Sequence, residues 1–296
     1  MALDHIPVLK SEVLKFLNVT RGVYLDGTLG GGGHAEAVLQ VSDYVQLIGI
    51  DRDPEALERT KKRLAVFENR FRVFCAPFAS FENVLRQEGI KQVNGILLDL
   101  GVSSQQLESP ERGFSFRKTG PLDMRMGATG ETLKSRLGNT NVAVLTDTLR
   151  RFGEEKLASK IAKRVMEAFH AGQLQTTTDL AEVVAACYPS RDRFGARIHP
   201  ATRTFQALRI WINEELDQLQ DFLAAAPKYL TPNGRLVILS YHSLEDRMVK
   251  QAFRRFEKEQ SFSVLTKKPV APTETEIEQN PRARSAKLRA LMRNAA

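Results

Sequence analysis

Short apolar segments alternate with amphipathic ones over the first hundred residues, which is the pattern of strands and helices in an α/β protein. Apolar runs at 23–25, 45–50, 71–74 and 95–101 each have the length of a buried strand. The last run is apolar almost throughout, as is usual for a parallel strand that is covered on both faces. Helices are expected between these runs, at 34–39, 55–67 and 81–88. This order predicts an α/β fold with a parallel sheet.

The pattern changes between residues 107 and 200, where no strand is predicted and helical periodicity dominates. Helices are expected there at 142–151, 154–169 and 178–187. We therefore predict two domains. The α/β domain comprises 1–106 and 201–296, and residues 107–200 form an inserted helical domain that recognises the substrate.

The α/β pattern returns after residue 200. A long helix is predicted at 202–228, and Pro232-Asn233-Gly234 predicts a turn into a strand at 235–240. A further helix ending at Phe256 and an edge strand at 261–266 complete the prediction.

A run of four glycines, Gly30 to Gly33, separates the first predicted strand from the helix that opens at His34. The second strand then ends at Asp51, so that the order is that of a nucleotide-binding βαβ unit. Glycines allow a ligand to approach the backbone where a Cβ would clash. Asp51 can accept hydrogen bonds from both ribose hydroxyls of an adenosine. A glycine-rich turn without any ligand is the alternative.

Asp26 lies where a dinucleotide-binding motif has its first glycine. A carboxylate at this place repels a pyrophosphate, but it suits a cationic ligand such as the sulfonium and ammonium groups of S-adenosylmethionine. The pattern therefore favours a methyl donor over NAD. An NAD-dependent oxidoreductase is the rival hypothesis, and a titration of NADH against S-adenosylmethionine would separate the two.

Acidic residues end three of the predicted parallel strands: Asp26, Asp51 and Asp99. Phe78 follows a fourth strand. Because the carboxyl ends of parallel strands lie at one edge of the sheet, where such folds bind ligands, we expect these side chains to line one site. Each acid taken singly could instead cap a helix or a turn.

The formal charge of +8 and the isoelectric point near 9.5 suggest a polyanionic partner. Segment 191–203 is dense in arginine and includes aromatic and histidine side chains, which suits contact with a nucleic acid. The tail 280–293 has five arginine or lysine residues and no acid, so we expect it to become ordered only on a polyanion.

Cys75 and Cys187 have no partner pattern and lie among apolar neighbours, so we expect reduced thiols in the core of a cytoplasmic protein. No cysteine–histidine cluster suggests a metal site. Neither a signal peptide nor an apolar run of membrane-spanning length is recognisable, so no membrane association is expected. The oligomeric state stays open.

Several longer motifs extend over nearly the whole chain, at 26–34, 95–104, 112–116, 120–126, 199–210, 242–247 and 281–289. Together they resemble the bacterial RsmH (MraW) family, the 16S ribosomal RNA cytosine-N4 methyltransferases. The resemblance implies a class I, Rossmann-like methyltransferase fold with a helical insertion. It implies transfer of the methyl group of S-adenosylmethionine to the exocyclic N4 of a cytidine in the decoding region of the small (30S) ribosomal subunit.

The resemblance also implies a set of cofactor-binding residues. These are Gly32, Gly33, His34, Asp51, Phe78, Asp99 and Gln106. Asp99 is also a candidate for the catalytic acceptor of the N4 proton, although it could instead bind the methionine end of the cofactor. A flipped cytosine needs an aromatic partner, and Phe114, Phe116 and Tyr241 all qualify.

Asp123, His199 and His242 are further candidates for catalysis, or for structural hydrogen bonds. His5, near the amino terminus, could contact the substrate. A non-catalytic RNA-binding or ribosome-assembly protein that keeps the fold is the second rival hypothesis. The acids at three strand ends argue against it, because they indicate that cofactor binding is retained.

Overall fold

The computed structural model describes residues 7–189 and 199–295, which form two compact units. The first unit comprises Met1–Gly101 and Leu216–Ala296, and the second is Val102–Glu215. The predictions for His5 and for residues 191–198 of the arginine-rich segment lie outside the described residues.

The first unit is built on a seven-stranded sheet with the strand order β3-β2-β1-β4-β5-β7-β6. Neighbouring strands from β3 to β5 are parallel, whereas β7 is antiparallel to both β5 and β6. The strands are β1 (Gly22–Asp26), β2 (Val45–Asp51), β3 (Phe71–Cys75), β4 (Val93–Asp99), β5 (Leu230–Ser240), β6 (Phe262–Val264) and β7 (Lys287–Arg293). The sheet is thus an open, doubly wound one, whose strand order reverses between β1 and β4.

Helices cover both faces of this sheet. One apolar cluster includes Phe81, Phe222 and Phe253, and the other includes Leu17 and Leu39. The helices of the chain, numbered over the described residues, are α1 (Lys10–Leu17), α2 (Gly33–Val41), α3 (Pro54–Arg63), α4 (Phe81–Gln87), α5 (Ser104–Glu108), α6 (Leu133–Gly138), α7 (Val142–Gly153), α8 (Ala158–His170), α9 (Thr177–Ala185), α10 (Thr202–Asn213), α11 (Glu215–Ala225), α12 (Ser243–Lys258) and α13 (Glu274–Gln279). Among the described residues, no helix has the length and apolar character needed to cross a membrane.

The second unit is helical and has its own apolar core. Leu145 and Leu149 of α7, Ile161 and Val165 of α8, and Leu180 of α9 are almost completely buried within it. The two residues named on α7, and the two on α8, are four positions apart and therefore lie on one face of each helix, as the periodicity predicts.

The prediction of a single long helix at 202–228 is wrong, because the structure has two helices there, α10 and α11. Glu214 lies between them with a φ of 53°, in the left-handed region that ends a helix. Glutamate rarely adopts the left-handed conformation, so the apolar periodicity predicted one continuous helix across this position.

The boundaries of the two units differ from those of the predicted domains. Residues 201–215, which were expected in the α/β domain, belong to the second unit, as do residues 102–106. The physical reason is burial: Phe205, Ala207 and Leu208 of α10 lie in the same apolar cluster as α7 and α8.

The expectation that the basic tail becomes ordered only on a polyanion is wrong. Its second half is β7, an inner strand of the sheet, in which Leu288 and Leu291 are completely buried. Arg289 is itself buried and its Nε donates to Asp246 Oδ1 at 2.6 Å. The many basic residues of this segment led to the prediction of disorder, although its apolar positions are those of a buried strand that pairs with β5.

The two cysteines also differ from the prediction that both fill the core. Cys187 is buried, but Cys75, the last residue of β3, is exposed. β3 is an edge strand, so its end is less covered than the end of a central strand would be.

Candidate active site

The carboxyl ends of β1, β2 and β4 bring Asp26, Asp51 and Asp99 to one edge of the sheet. This edge includes the point at which the strand order reverses, where open α/β sheets bind their ligands. Burial is the main cause of the raised pKa of Asp26, and the charges of Asp99 and Asp51 add to it. The expectation that these strand ends lie at one edge is confirmed, whereas a shared binding site for the three side chains stays a prediction.

The glycine turn between β1 and α2 is shaped by two residues with positive φ, Gly30 at 51° and Gly32 at 77°. A Cβ at Gly32 would lie 2.8 Å from Thr60 Cγ2 of α3, so a larger residue would displace that helix. Thr60 Oγ1 in turn donates to the carbonyl oxygen of Gly30 at 2.8 Å. Contacts with α3 thus set the turn, and Gly33 and His34 begin α2 directly after it.

Asp51 ties the glycine turn to the end of β2. Its Oδ2 accepts from the Gly30 amide at 2.7 Å, and its Oδ1 accepts from the Asp53 amide at 2.8 Å. Burial raises the pKa of Asp51, although these two hydrogen bonds counteract the rise. Because each carboxylate oxygen can accept a second hydrogen bond, Asp51 retains acceptor capacity for the hydroxyls of a ribose.

Phe78 lies beside the end of β1, as a Cβ placed on Gly27 would be 3.3 Å from Phe78 Cβ. The Phe78 ring makes an edge-on contact with Phe222, with 5.6 Å between the ring centroids. Phe78 is only partly buried. Its ring is thus held on one side by the core and retains some exposed surface.

Asp26 is the most deeply buried of the three acids, with 2% of its surface exposed. Burial, partly offset by a hydrogen bond from the Thr28 amide, and the charges of Asp99 and Asp51 raise its pKa to about 7. A buried cluster of carboxyls with raised pKa values is a place where a cation is favoured, because a positive charge relieves their mutual repulsion.

Asp99 is held by neighbours from three elements. Tyr241, directly after β5, donates its hydroxyl to Asp99 Oδ1 at 2.7 Å, and the Asp99 amide donates to Thr28 Oγ1 at 2.6 Å. His34 Nε2 lies 3.6 Å from Asp99 Oδ2, which is longer than a hydrogen bond. Burial is the main cause that raises the pKa of Asp99 to about 6, and the Tyr241 hydroxyl counteracts it.

Gln106 belongs to the second unit, where it takes part in a capping box at the start of α5. Its backbone nitrogen donates to Ser103 Oγ at 3.2 Å, and its side-chain Oε1 accepts from the Ser103 backbone amide at 3.0 Å. This local role explains its burial, and binding of the cofactor by Gln106 stays a prediction.

The other candidate residues have structural partners. Asp123 forms a bidentate ion pair with Arg125, at 2.8 and 2.7 Å, and His199 packs on the ring of Phe116 at 4.6 Å. His242 caps α12, with its Nδ1 accepting from the Glu245 amide at 3.4 Å. Of the proposed stacking rings, Phe114 is 7% exposed within the core of the second unit.

Sequence inspection missed Thr28, Thr60 and Glu245, which organise the site. Thr28 Oγ1 accepts from the Asp99 amide at the end of β4, and Thr60 Oγ1 donates to the Gly30 carbonyl in the glycine turn. Glu245 accepts from the amide of Tyr241 at 2.8 Å. Only Glu245 has a local pattern that could have revealed it, namely its place three residues after the helix-capping His242.

The family model described as the MraW methylase family matches residues 2–294 of this chain. The chain belongs to the MraW methylase family. Relatives that are each named ribosomal RNA small subunit methyltransferase H share 46% of their residues with it. In Nitratidesulfovibrio vulgaris the match covers 97% of this chain and 94% of the relative. In Anaeromyxobacter sp. strain K it covers 97% of both, and in Synechococcus elongatus 96% and 93%.

Membership of this family makes the chain an S-adenosylmethionine-dependent methyltransferase, and the doubly wound sheet with its antiparallel β7 is the class I methyltransferase fold that the resemblance implied. Gly32, Gly33, His34, Asp51 and Asp99 lie at or directly after the carboxyl ends of β1, β2 and β4, and binding of the cofactor by these residues stays a prediction.

Proposed function

We propose that this methyltransferase transfers the methyl group of S-adenosylmethionine to the exocyclic N4 of a cytidine in 16S ribosomal RNA. The relatives are named for methylation of the small-subunit ribosomal RNA. The observation that carries the proposal is the cluster of Asp26, Asp51 and Asp99 around the switch point of the sheet. We further propose that the cytidine lies in the decoding region of the 30S subunit, and that the enzyme acts in the cytoplasm.

The residues at this edge suit the cofactor. Asp51 is placed at the tip of β2 with capacity for ribose hydroxyls, and the partly exposed Phe78 ring offers an apolar face for the adenine. The buried acids Asp26 and Asp99 favour the ammonium and sulfonium charges. When bound, the cofactor supplies a methyl group on a positively charged sulfur.

The protein must do two things for this reaction: it must position the N4 amine and accept a proton from it. The N4 amine of cytosine is conjugated with the ring and is a poor nucleophile, so it must be held in line with the methyl group. It must also lose a proton during the reaction. Asp99 supplies the acceptor, because its pKa of about 6 leaves it mostly ionised at neutral pH and basic enough to take that proton.

A cytosine can reach this site only outside a base stack, so an aromatic partner would stabilise the extruded base. Tyr241 is the candidate in direct contact with Asp99. Phe114 and Phe116 lie in the second unit, where Phe116 also packs against Phe205 at 4.8 Å. We assign the helical second unit to recognition of the RNA.

The test is methyl transfer from labelled S-adenosylmethionine to purified small subunits that lack the modification. The RNA is then digested with nuclease, and the nucleosides are analysed by mass. We expect N4-methylcytidine, and only with active protein. Naked 16S RNA in a parallel reaction separates the assembled subunit from the free RNA as substrate.

Other outcomes are equally informative. A labelled nucleoside other than N4-methylcytidine would contradict the proposed acceptor atom. Binding of S-adenosylmethionine without incorporation into either substrate would contradict ribosomal RNA as the acceptor, and absence of binding would favour the non-catalytic hypothesis.

A further inference from the structure

Tyr241 is held at both ends within the first unit. Its hydroxyl donates to Asp99 Oδ1 at 2.7 Å, and its backbone amide donates to Glu245 Oε2 at 2.8 Å. The chain that leaves β4 also passes the ring, as a Cβ on Gly101 would lie 3.7 Å from Tyr241 Cδ2. The side chain is therefore fixed in relation to two strands, β4 and β5, whose ends form the site.

We propose that Tyr241 is a positioning residue for methyl transfer, whose hydroxyl holds Asp99 Oδ1 so that Oδ2 is the oxygen presented to the N4 amine. This inference rests on the proposed function. It gives the tyrosine a role through its hydroxyl, which is distinct from stacking of its ring on a base.

The contacts of Asp99 support this division between its two oxygens. Oδ1 is engaged by Tyr241, and the Asp99 backbone is fixed by Thr28. Oδ2 points towards His34 Nε2 at 3.6 Å, and the side chain keeps 20% of its surface exposed. Rotation of the carboxylate would break the hydrogen bond of Tyr241, so the hydroxyl limits the directions from which an N–H group can be accepted.

The charged and titratable groups that face Asp99 act on its pKa in different directions. Besides burial, the Glu245 carboxylate raises the pKa of Asp99, whereas the hydrogen bond of Tyr241 lowers it. Asp26 interacts with Asp99 through their like charges, and His34 faces it from α2. The pKa of Tyr241 is itself raised by burial and by Asp99, so its hydroxyl stays a donor throughout the working pH range.

The proposed methyl transfer forms an N–C and an O–H bond and breaks an S–C and an N–H bond. The N4 lone pair forms the bond to the methyl carbon, and the electrons of the S–CH3 bond return to sulfur, which becomes a neutral thioether. One N4 proton passes to the ionised Asp99 carboxylate, so only the deprotonated enzyme is active.

The first test compares Tyr241→Phe with Tyr229→Phe in the full-length protein. Tyr229, directly before β5, is a matched control, because its hydroxyl also donates to a carboxylate, Glu82 Oε1 of α4, at 2.7 Å. We expect Tyr241→Phe to lower kcat by roughly 10- to 100-fold, as small misplacements of catalytic groups do. The Kd for S-adenosylmethionine should change much less than kcat, and Tyr229→Phe should behave as wild type.

The pH profile separates positioning from a purely structural role. Loss of the tyrosine hydrogen bond raises the pKa of Asp99, so the acidic limb of the kcat profile should move to higher pH in Tyr241→Phe. Glu245→Gln removes a like charge and should move the same limb to lower pH. These opposite shifts are not expected from general loosening of the fold.

Wild-type protein in the same assay reports on the proposed function, so failure of the two hypotheses can be told apart. If the wild type methylates the RNA and Tyr241→Phe keeps its kcat and pH profile, the positioning role is overturned and the ring alone matters. A Kd for S-adenosylmethionine that weakens as much as kcat falls would also overturn it, because Tyr241 would then orient Asp99 towards the cofactor.

Discussion

Among the individual residues of this enzyme, the most important are the buried acids near the point where the strand order reverses. Burial is the main cause of the raised pKa of Asp26, Asp51 and Asp99, and the charges of Asp99 and Asp51 raise the pKa of Asp26 further. A buried carboxyl destabilises the ligand-free protein when it ionises, but the same charge attracts a cationic ligand. Function and stability therefore make opposite demands on the same side chains.

Replacement of Asp26 by asparagine tests this conflict. The pKa of Asp26 is about 7 when folded and near its ordinary 3.8 when unfolded, so the folded protein keeps a proton that the unfolded chain has lost. Stability of the wild type should therefore fall as pH rises from about 4 to about 7. We expect Asp26→Asn to remove this fall and to be more stable by roughly 2 to 4 kcal/mol above pH 8. Denaturant titration of both proteins at several pH values measures the difference.

Asp43→Asn is the matched control for that experiment, because Asp43 is 95% exposed. It should leave the pH dependence of stability as in the wild type. Equal stabilities of Asp26→Asn and wild type at every pH would show that the Asp26 carboxyl does not resist ionisation.

Replacement of Asp99 by alanine tests its catalytic role. We expect methyl transfer to fall by about 10²- to 10⁴-fold, which is the usual contribution of a positioned proton acceptor. The melting temperature should not fall, since removal of a buried acid with a raised pKa relieves a cost of folding. Turnover like that of the wild type would remove Asp99 from the mechanism.

At the scale of elements, β7 shows how a basic segment becomes part of a core. It pairs with β5 on one side and β6 on the other, and its buried Arg289 needs the counter-charge of Asp246 on α12. Burial raises the pKa of Asp246, but the hydrogen bond and charge of Arg289 and the charge of Lys287 bring it below its ordinary value of 3.8. The ion pair therefore joins the sheet to the helix that covers it.

Arg289→Ala should destabilise the protein by about 3 to 5 kcal/mol, because it leaves the carboxylate of Asp246 partly buried without its main partner. The decrease in the free energy of unfolding should have its full size above pH 3.8. It should become smaller as pH falls through the lower folded-state pKa of Asp246, because the wild type then loses the same ion pair. Unfolding in urea at neutral and acidic pH provides the measurement.

Arg284→Ala is the control, since Arg284 is an exposed cation of the same segment. It should change stability by less than about 0.5 kcal/mol. A similar effect of both substitutions would mean that the charge of the tail matters and the buried ion pair does not.

At the scale of the whole molecule, the net charge of +8 suits a polyanionic substrate. Phosphate contacts release counterions, so we expect the affinity for 16S ribosomal RNA to fall at least about tenfold between 50 and 200 mM salt. Binding of S-adenosylmethionine, measured in parallel, should change much less. An affinity for RNA that does not depend on salt would exclude a substantial number of phosphate contacts.

Much of the α/β framework and the location of the site could be predicted from the sequence. Apolar periodicity, strand length and the acids after β1, β2 and β4 are local properties, and parallel strands necessarily place their carboxyl ends at one edge. The motifs indicated the family in the same way, because each is a short continuous segment.

Features that depend on distant partners could not be predicted. β7 looked like a disordered basic tail until its apolar residues met β5, and Glu214 ended a helix that periodicity would have continued. The contact between Tyr241 and Asp99 joins residues 142 positions apart. The order of elements, the family and the acids at the strand ends therefore follow from short continuous segments. Which groups touch, and how far burial moves their pKa values, depends on distances and water exclusion that arise when the chain is folded.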